Sequence, residues 1–177
     1  DQSLRFNQTD SYLSRTVGTA TSNRIGTFSF WTKMGNLANE EAIVSNYSDS
    51  NNRTYVNYYQ NGIEVYGKIS GSSNIHLQTT AVYRDPSAWY HVVIAIDVTQ
   101  GTASDRVKIY VNGDQVTSFS SETYPTDVDL PLFSKTNMTV GVKYATSLSS
   151  YWGGYLAEFY YIDGTQLTPS SFGELDS

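Results

Sequence analysis

Cysteine is absent from this 177-residue chain, which excludes a disulfide framework, a thiolate metal site and a cysteine nucleophile. Charge is scarce at 16%, and it leans acidic, with 17 Asp and Glu against 11 Lys and Arg for a net charge of −6. That sign suits neither the phosphates of nucleic acid nor insertion at an anionic membrane surface. No apolar run approaches the roughly 18 residues of a membrane-spanning helix. The first residues also lack the basic-then-apolar pattern of a secretory signal. The chain begins at Asp1 rather than Met, and it reads as a piece of something longer.

What the chain does have is the chemistry of β-sheets. Hydrophobic residues make up 39%, and Tyr alone numbers 15; the length suffices for one covered core but not for two ordinary domains. Short period-two runs alternate with Gly, Asn, Asp and Ser turns, and helical spacing is nearly missing. Strands are predicted over residues 3–7, 12–15, 27–34, 42–46, 54–60, 63–69, 74–78, 89–98, 106–111, 115–119, 138–142 and 155–162, with 45–53 and 118–135 as connections. A single all-β domain over residues 1–177, a two-sheet antiparallel jelly-roll sandwich, accommodates that series. Thr168-Pro169-Ser170-Ser171-Phe172-Gly173 adds one short helical turn near the C-terminus. Asn61-Gly62 and Asn112-Gly113 lie between β-rich runs and predict two-residue hairpin turns.

Placing Asn61-Gly62 at the turn pairs Gln60 with Ile63, Tyr59 with Glu64, Tyr58 with Val65 and Asn57 with Tyr66. One face then carries Val56, Tyr58, Ile63, Val65 and Ile69, which is core material. The other carries Tyr55, Asn57, Tyr59, Glu64, Tyr66 and Lys68. Three rings among amide, carboxylate and ammonium groups make a platform on which pyranose rings could stack while sugar hydroxyls meet the polar groups. The same face would also serve a protein contact, or stand as solvated sheet held by aromatic cross-strand pairs. Tyr144, Tyr151 and Trp152 form a second aromatic cluster in a Gly-flanked loop before the last strand, where recognition residues concentrate.

Several segments resemble a known family. Gly26-Thr27-Phe28-Ser29-Phe30-Trp31-Thr32-Lys33 is similar to an early strand of laminin-G-like and concanavalin-A-like jelly rolls. Trp89-Tyr90-His91-Val92-Val93-Ile94-Ala95-Ile96-Asp97, followed by Val107-Lys108-Ile109-Tyr110-Val111-Asn112-Gly113, resembles their central signature. Gly153-Gly154-Tyr155-Leu156-Ala157-Glu158-Phe159 resembles their closing strand, with Ala157 standing where many members carry Asp. Ser3-Leu4-Arg5-Phe6-Asn7, Arg84-Asp85-Pro86-Ser87-Ala88-Trp89-Tyr90-His91 and the stretch from Ile162 through Phe172-Gly173-Glu174 look like versions in structural and tail-associated proteins of marine bacteriophages. The resemblance implies a non-catalytic, lectin-like recognition module at a virion surface, in contact with host-surface polysaccharide. Its alternative is a structural or decoration module that contacts other virion proteins.

Catalytic chemistry is not legible. Retaining glycosidases on this fold need two carboxylates about 5 Å apart, usually from one Glu-x-Asp-x-x-Glu strand, and no such string occurs. A Gly-x-Ser-x-Gly elbow is missing as well. His91 alternates with Val93 and Ala95 as a packed strand residue would, and His76 is the only other histidine. No motif requires a cofactor. Asp49 and Asn51 offer hard oxygens two residues apart, as do Asp127 and Asp129; Ca²⁺ is the ion such loops take, though the same residues also make ordinary Asx turns.

Overall fold

The longest unbroken apolar run, Val92-Val93-Ile94-Ala95-Ile96, leaves no side for water, and all five residues are buried. In the computed structural model, which describes residues 2–16, 18–36, 40–133 and 137–173, that run lies mid-sheet in an antiparallel sandwich. The strands are β1 (Leu4–Arg5), β2 (Leu13–Thr16), β3 (Ile25–Met34), β4 (Glu40–Asp49), β5 (Asn52–Tyr59), β6 (Gly62–Ile69), β7 (Ser72–Thr79) and β8 (Tyr90–Asp97). After one turn of helix, α1 (Ala103–Arg106), come β9 (Val107–Val111), β10 (Asp114–Gln115), β11 (Phe119–Thr123), β12 (Asn137–Val140), β13 (Lys143–Tyr144), β14 (Leu148–Ser149) and β15 (Gly154–Asp163). Six strands pair in the order β1-β15-β3-β8-β9-β10, seven in the order β11-β7-β6-β5-β4-β12-β2, and β13-β14 form a separate hairpin.

Between the two large sheets, Phe28, Phe30, Val92, Ile94 and Ile109 meet Val44, Val56, Tyr58, Val65 and Leu77 in one apolar cluster. The 3-10 turn Pro131–Phe133 plugs this core, its Phe133 ring stacked on Phe28 at 6.1 Å and on Tyr161 at 5.9 Å. The opposite side of β8 is covered separately, where Val93, Ala95 and Tyr110 pack with Phe172 of the C-terminal segment. Thr27 fastens that segment, its hydroxyl donating to Thr165 O at 2.7 Å and accepting from Leu167 N at 2.8 Å. The helical turn predicted there is a 3-10 turn at Pro169–Ser171, while Glu174 of the C-terminal motif lies outside the described residues.

Three expectations change. The β5–β6 turn is Gln60-Asn61, both left-handed at φ 50° and 65°, so Tyr59 pairs Gly62, Asn57 pairs Glu64 and Tyr55 pairs Tyr66. Both strands shift one place together, which leaves the predicted faces intact. The 45–53 connection is continuous sheet, for β4 and β5 run to an Asp49–Asn52 closing pair around Ser50-Asn51. Ser45 and Asn46 are buried in it, with Ser45 Oγ accepting Tyr144 N at 3.0 Å, while residues 48–51 at its tip are exposed. Within 118–135, Phe119–Thr123 is an edge strand on β7, and the predicted 115–119 strand divides between β10 and β11. Residues 134–136 of that connection lie outside the described set.

The two Asn-Gly pairs use glycine differently. Gly113 occupies the left-handed region at φ 90°, which Asn also tolerates. Gly62 has ordinary backbone angles, but a Cβ there would stand 3.0 Å from Thr79 Oγ1 and 3.1 Å from Thr79 O. Gly113→Asn is therefore expected to cost under about 1 kcal/mol, and Gly62→Asn about 1–3 kcal/mol through overpacking. Urea unfolding of both variants checks the order.

His91 is buried against the Trp31 ring at 5.0 Å, with Nε2 2.9 Å from Ser29 Oγ. Burial holds its imidazole below the usual range, partly offset by Glu158. The unfolded chain consequently takes up a proton first as pH falls. The stability this neutral ring confers is complete above about pH 6.5 and declines as pH drops toward the lowered native value. Unfolding midpoints measured between ~pH 7 and ~pH 5 should fall less in His91→Gln than in the parent; equal slopes would place the acid sensitivity elsewhere.

Candidate functional site

Alternation along β5 and β6 sends Tyr55, Asn57, Tyr59, Glu64, Tyr66 and Lys68 to the outer face of the seven-stranded sheet. Tyr55 and Tyr66 sit opposite each other with rings 6.4 Å apart and nearly parallel. One step along, Asn57 Nδ2 donates to Glu64 Oε2 at 3.0 Å. The other carboxylate oxygen, Oε1, lies 3.1 Å from His76 Nε2, and the His76 ring stands edge-on to Tyr66 at 5.5 Å. Tyr66 Oη completes the cluster with Ser73 Oγ at 3.0 Å.

The face is recessed, not flat. The β13-β14 hairpin overhangs it, and Lys143 Nζ lies 2.5 Å from Glu40 Oε1 and 4.7 Å above the Tyr55 ring. Tyr55 is thereby only 2% exposed, and burial pushes its phenol up to about 12. Tyr59 and Tyr66 remain half-open. A groove of about 510 Å³ results, lined by these residues together with Tyr47, Arg53 and Thr146. On its floor Asn57 Oδ1 is buried and unpartnered. Its amide cannot turn round to satisfy it, because the Glu64 carboxylate accepts only and so holds the NH₂ end.

Not every residue expected here belongs. Tyr144 reaches the groove indirectly, edge-on to Tyr47 at 5.6 Å, and Lys68 lies beyond it, opposite Arg53. Tyr151 is half-buried and does not line the groove. Trp152 is fully buried in the core, stacked on Tyr58 at 5.3 Å, so it is corrected to a packing residue. Glu40, Tyr47, Arg53, His76 and Lys143 were missed. Tyr47 and Arg53 fell within the supposed connection, and nothing local in the sequence marks Glu40 as opposite Tyr59.

The chemistry of the groove favours holding over cutting. Glu40 and Glu64 are both engaged, and their strands are separated by β5. That spacing is about 10 Å, wider than the roughly 5–5.5 Å of a retaining carboxylate pair. A larger groove of about 960 Å³ lies outside the six-stranded sheet, lined by Trp31, Trp89, His91, Asn112 and Phe172. Two of its polar side chains are engaged within the fold, His91 on Ser29 and Asn112 Oδ1 on His91 N.

Asp49 does not fit the role of metal ligand. Its Oδ1 accepts Asn51 N at 2.7 Å, and both carboxylate oxygens accept Asn52 Nδ2 at 3.1 Å. These bonds hold its carboxyl below the usual range. Asp127 and Asp129 pair instead with Arg24. No group of three or more His, Asp or Glu is placed to hold a metal among the described residues. Asp49→Ala is expected to lower the melting midpoint slightly, and by the same amount whether calcium or EDTA is present, as thermal melts would show.

A family profile described as the Concanavalin A-like lectin/glucanases superfamily matches residues 7–170. Among solved structures, a heptameric SAP-like pentraxin from Limulus polyphemus is similar at 18% identity, TM-score 0.62, over 94% of this chain and 77% of that one. The CBM40 of the Ruminococcus gnavus IT-sialidase is similar at 11% identity, TM-score 0.62, over 96% and 95%. The K499G mutant of NanB sialidase from Streptococcus pneumoniae gives 14% identity and TM-score 0.72 over 99% of this chain but 28% of that one. Such identities speak for the fold. Among curated proteins, none matches this sequence.

Proposed function

Because the chain belongs to the concanavalin A-like lectin/glucanase superfamily, we propose that it is a non-catalytic recognition module that holds a glycan in the β5–β6 groove. The observation that carries this reading is the groove floor. The half-open rings of Tyr59 and Tyr66 flank the Asn57–Glu64 pair, and a small movement of the Asn57 side chain brings its buried, unpartnered Oδ1 to a sugar hydroxyl. A structure of the similar R. gnavus CBM40 is described as bound to α2,3-sialyllactose, which supports a glycan as the class of ligand.

The resemblance of the 3–7, 84–91 and 162–174 segments to marine-phage structural proteins supports the finer proposal. In it the module sits at a virion surface or on a tail protein and engages host-surface polysaccharide, weakly per copy and usefully through many copies. A second reading, a structural module contacting other virion proteins, draws on one observation. Leu4 and Leu13 are 55% and 49% exposed and line a cleft with Phe159 at the open edge of the sandwich.

A screen of the chain against algal and cyanobacterial envelope polysaccharides, followed by titration of the best ligand, tests the site. Asn57→Ala and Tyr66→Ala are each expected to weaken binding about tenfold or more, while Trp89→Ala in the other groove leaves it unchanged. Binding lost only in Trp89→Ala would move the site to the opposite sheet. No binding by folded protein would favour the structural reading.

A further inference from the structure

Leu156, Phe159 and Tyr161 of β15 face the core, while Ala157 and Tyr160 pair with Trp31 and Ser29 of β3. Glu158 is the extra residue between those pairs, a β-bulge with φ at 47°. Glycine is the usual occupant of a left-handed bulge position, because a Cβ is strained there. Strain of this kind is kept where it aims a side chain. Here it adds an exposed carboxylate to the outer face of the six-stranded sheet, and none of the described ion pairs engages it.

The carboxylate stands beside two indoles. Glu158, Trp31 and Trp89 line a recess of about 470 Å³, and the same two rings line the larger groove next to it. Trp89 is 36% exposed and edge-on to Tyr155 at 6.3 Å. Trp31 is half-buried, stacked with the His91 ring, and the Glu158 charge acts on that same imidazole. Two cations of this face, Arg5 and Lys33, both lie opposite Tyr155 instead, with Lys33 Nζ 5.8 Å from the Tyr155 ring centroid.

We propose that Glu158, Trp31 and Trp89 form a docking site for an arginine side chain of a basic polypeptide partner. A planar guanidinium can stack on an indole while its N–H groups donate to the carboxylate. The ammonium of lysine is more strongly hydrated and has no flat face to stack, so it suits the site less well. The net charge of −6 complements a basic partner and speeds its approach. This site and the β5–β6 groove belong to opposite sheets, and it stands independently of any glycan.

An acetylated, amidated Gly-Arg-Gly peptide titrated into the intact chain, with indole fluorescence as the readout, tests the site beside its lysine and citrulline counterparts. The arginine peptide is expected to give a saturable change, the lysine peptide a weaker one and the uncharged citrulline peptide none. Glu158→Gln and Trp31→Ala should each weaken arginine binding at least tenfold, while Glu122→Gln on the other sheet leaves it unchanged. Glu158→Gly adds a check without ligand: it should abolish binding yet raise the thermal midpoint, since it removes the strain. A lowered midpoint in Glu158→Gly would make the residue structural and overturn the proposal. So would an absent response, an equal response to the citrulline peptide, or unchanged binding in Glu158→Gln. Saturation by tetramethylammonium but not by the arginine peptide would overturn it too, by assigning the rings to a small organic cation. Should Trp31→Ala fail to fold, the exposed Glu158→Gln variant decides.

Discussion

Successive side chains of β5 and β6 must leave the sheet on opposite faces, and the groove exists because the inner face is so firmly seated. Val56 opposes Val65 and Tyr58 opposes Ile63, and none of the four is more than 1% exposed. Once those pairs are in the core, Tyr55 has no position but opposite Tyr66, and Asn57 none but opposite Glu64. A one-residue slip of either strand would drive an amide and a carboxylate into that core, at several kcal/mol if left unpaired. The core therefore sets the register, and the register sets the groove.

What turns this face from a platform into a recess comes from a distant part of the chain. The β13-β14 hairpin reaches over β4, where Ser45 and Tyr144 exchange side-chain and backbone hydrogen bonds. Lys143 is thereby delivered above Tyr55. A cation over a ring is worth about 0.5–1 kcal/mol at an exposed site and more when desolvated, and the Glu40 carboxylate holds the ammonium in place. Tyr55 becomes a support for this roof. The rings left to meet a ligand are Tyr59 and Tyr66, one on each side of the Asn57–Glu64 pair.

The fold and the composition of this face were legible because both rest on local pattern. Period-two alternation needs only neighbours in sequence, and the faces survived a misplaced turn because each strand moved by a whole pair. Glu40, Lys143 and Tyr47 were hidden for the opposite reason. Their places depend on which strand lies beside which, β4 on β5 and the hairpin over both, and no local spacing encodes that. Polar composition also misled at 45–53, where Ser45 and Asn46 are buried in sheet rather than exposed in a loop. Trp152 shows the converse error. Glycines on its C-terminal side suggested an open loop, but a Cβ on Gly154 would lie 2.7 Å from the indole, so that glycine is what lets the ring pack inward.

Size alone would have chosen the other groove. The Trp31–Trp89 groove is nearly twice as large, yet two of its hydrogen-bonding side chains, His91 and Asn112, are engaged in holding β3, β8 and the β9–β10 turn together. Recognition of a hydroxyl-rich ligand requires acceptors and donors that folding has left unspent. An unpartnered buried acceptor costs about 1–3 kcal/mol, which a sheet has no reason to carry in every copy of the fold. Tyr58 Oη and Asn57 Oδ1 both carry it, the first sealed in the core and the second at the floor of the groove. The Asn57–Glu64 pair lies at the floor of the smaller groove, between the half-open rings of Tyr59 and Tyr66, and it is this mixture of ring faces and polar groups that the larger groove lacks at its floor.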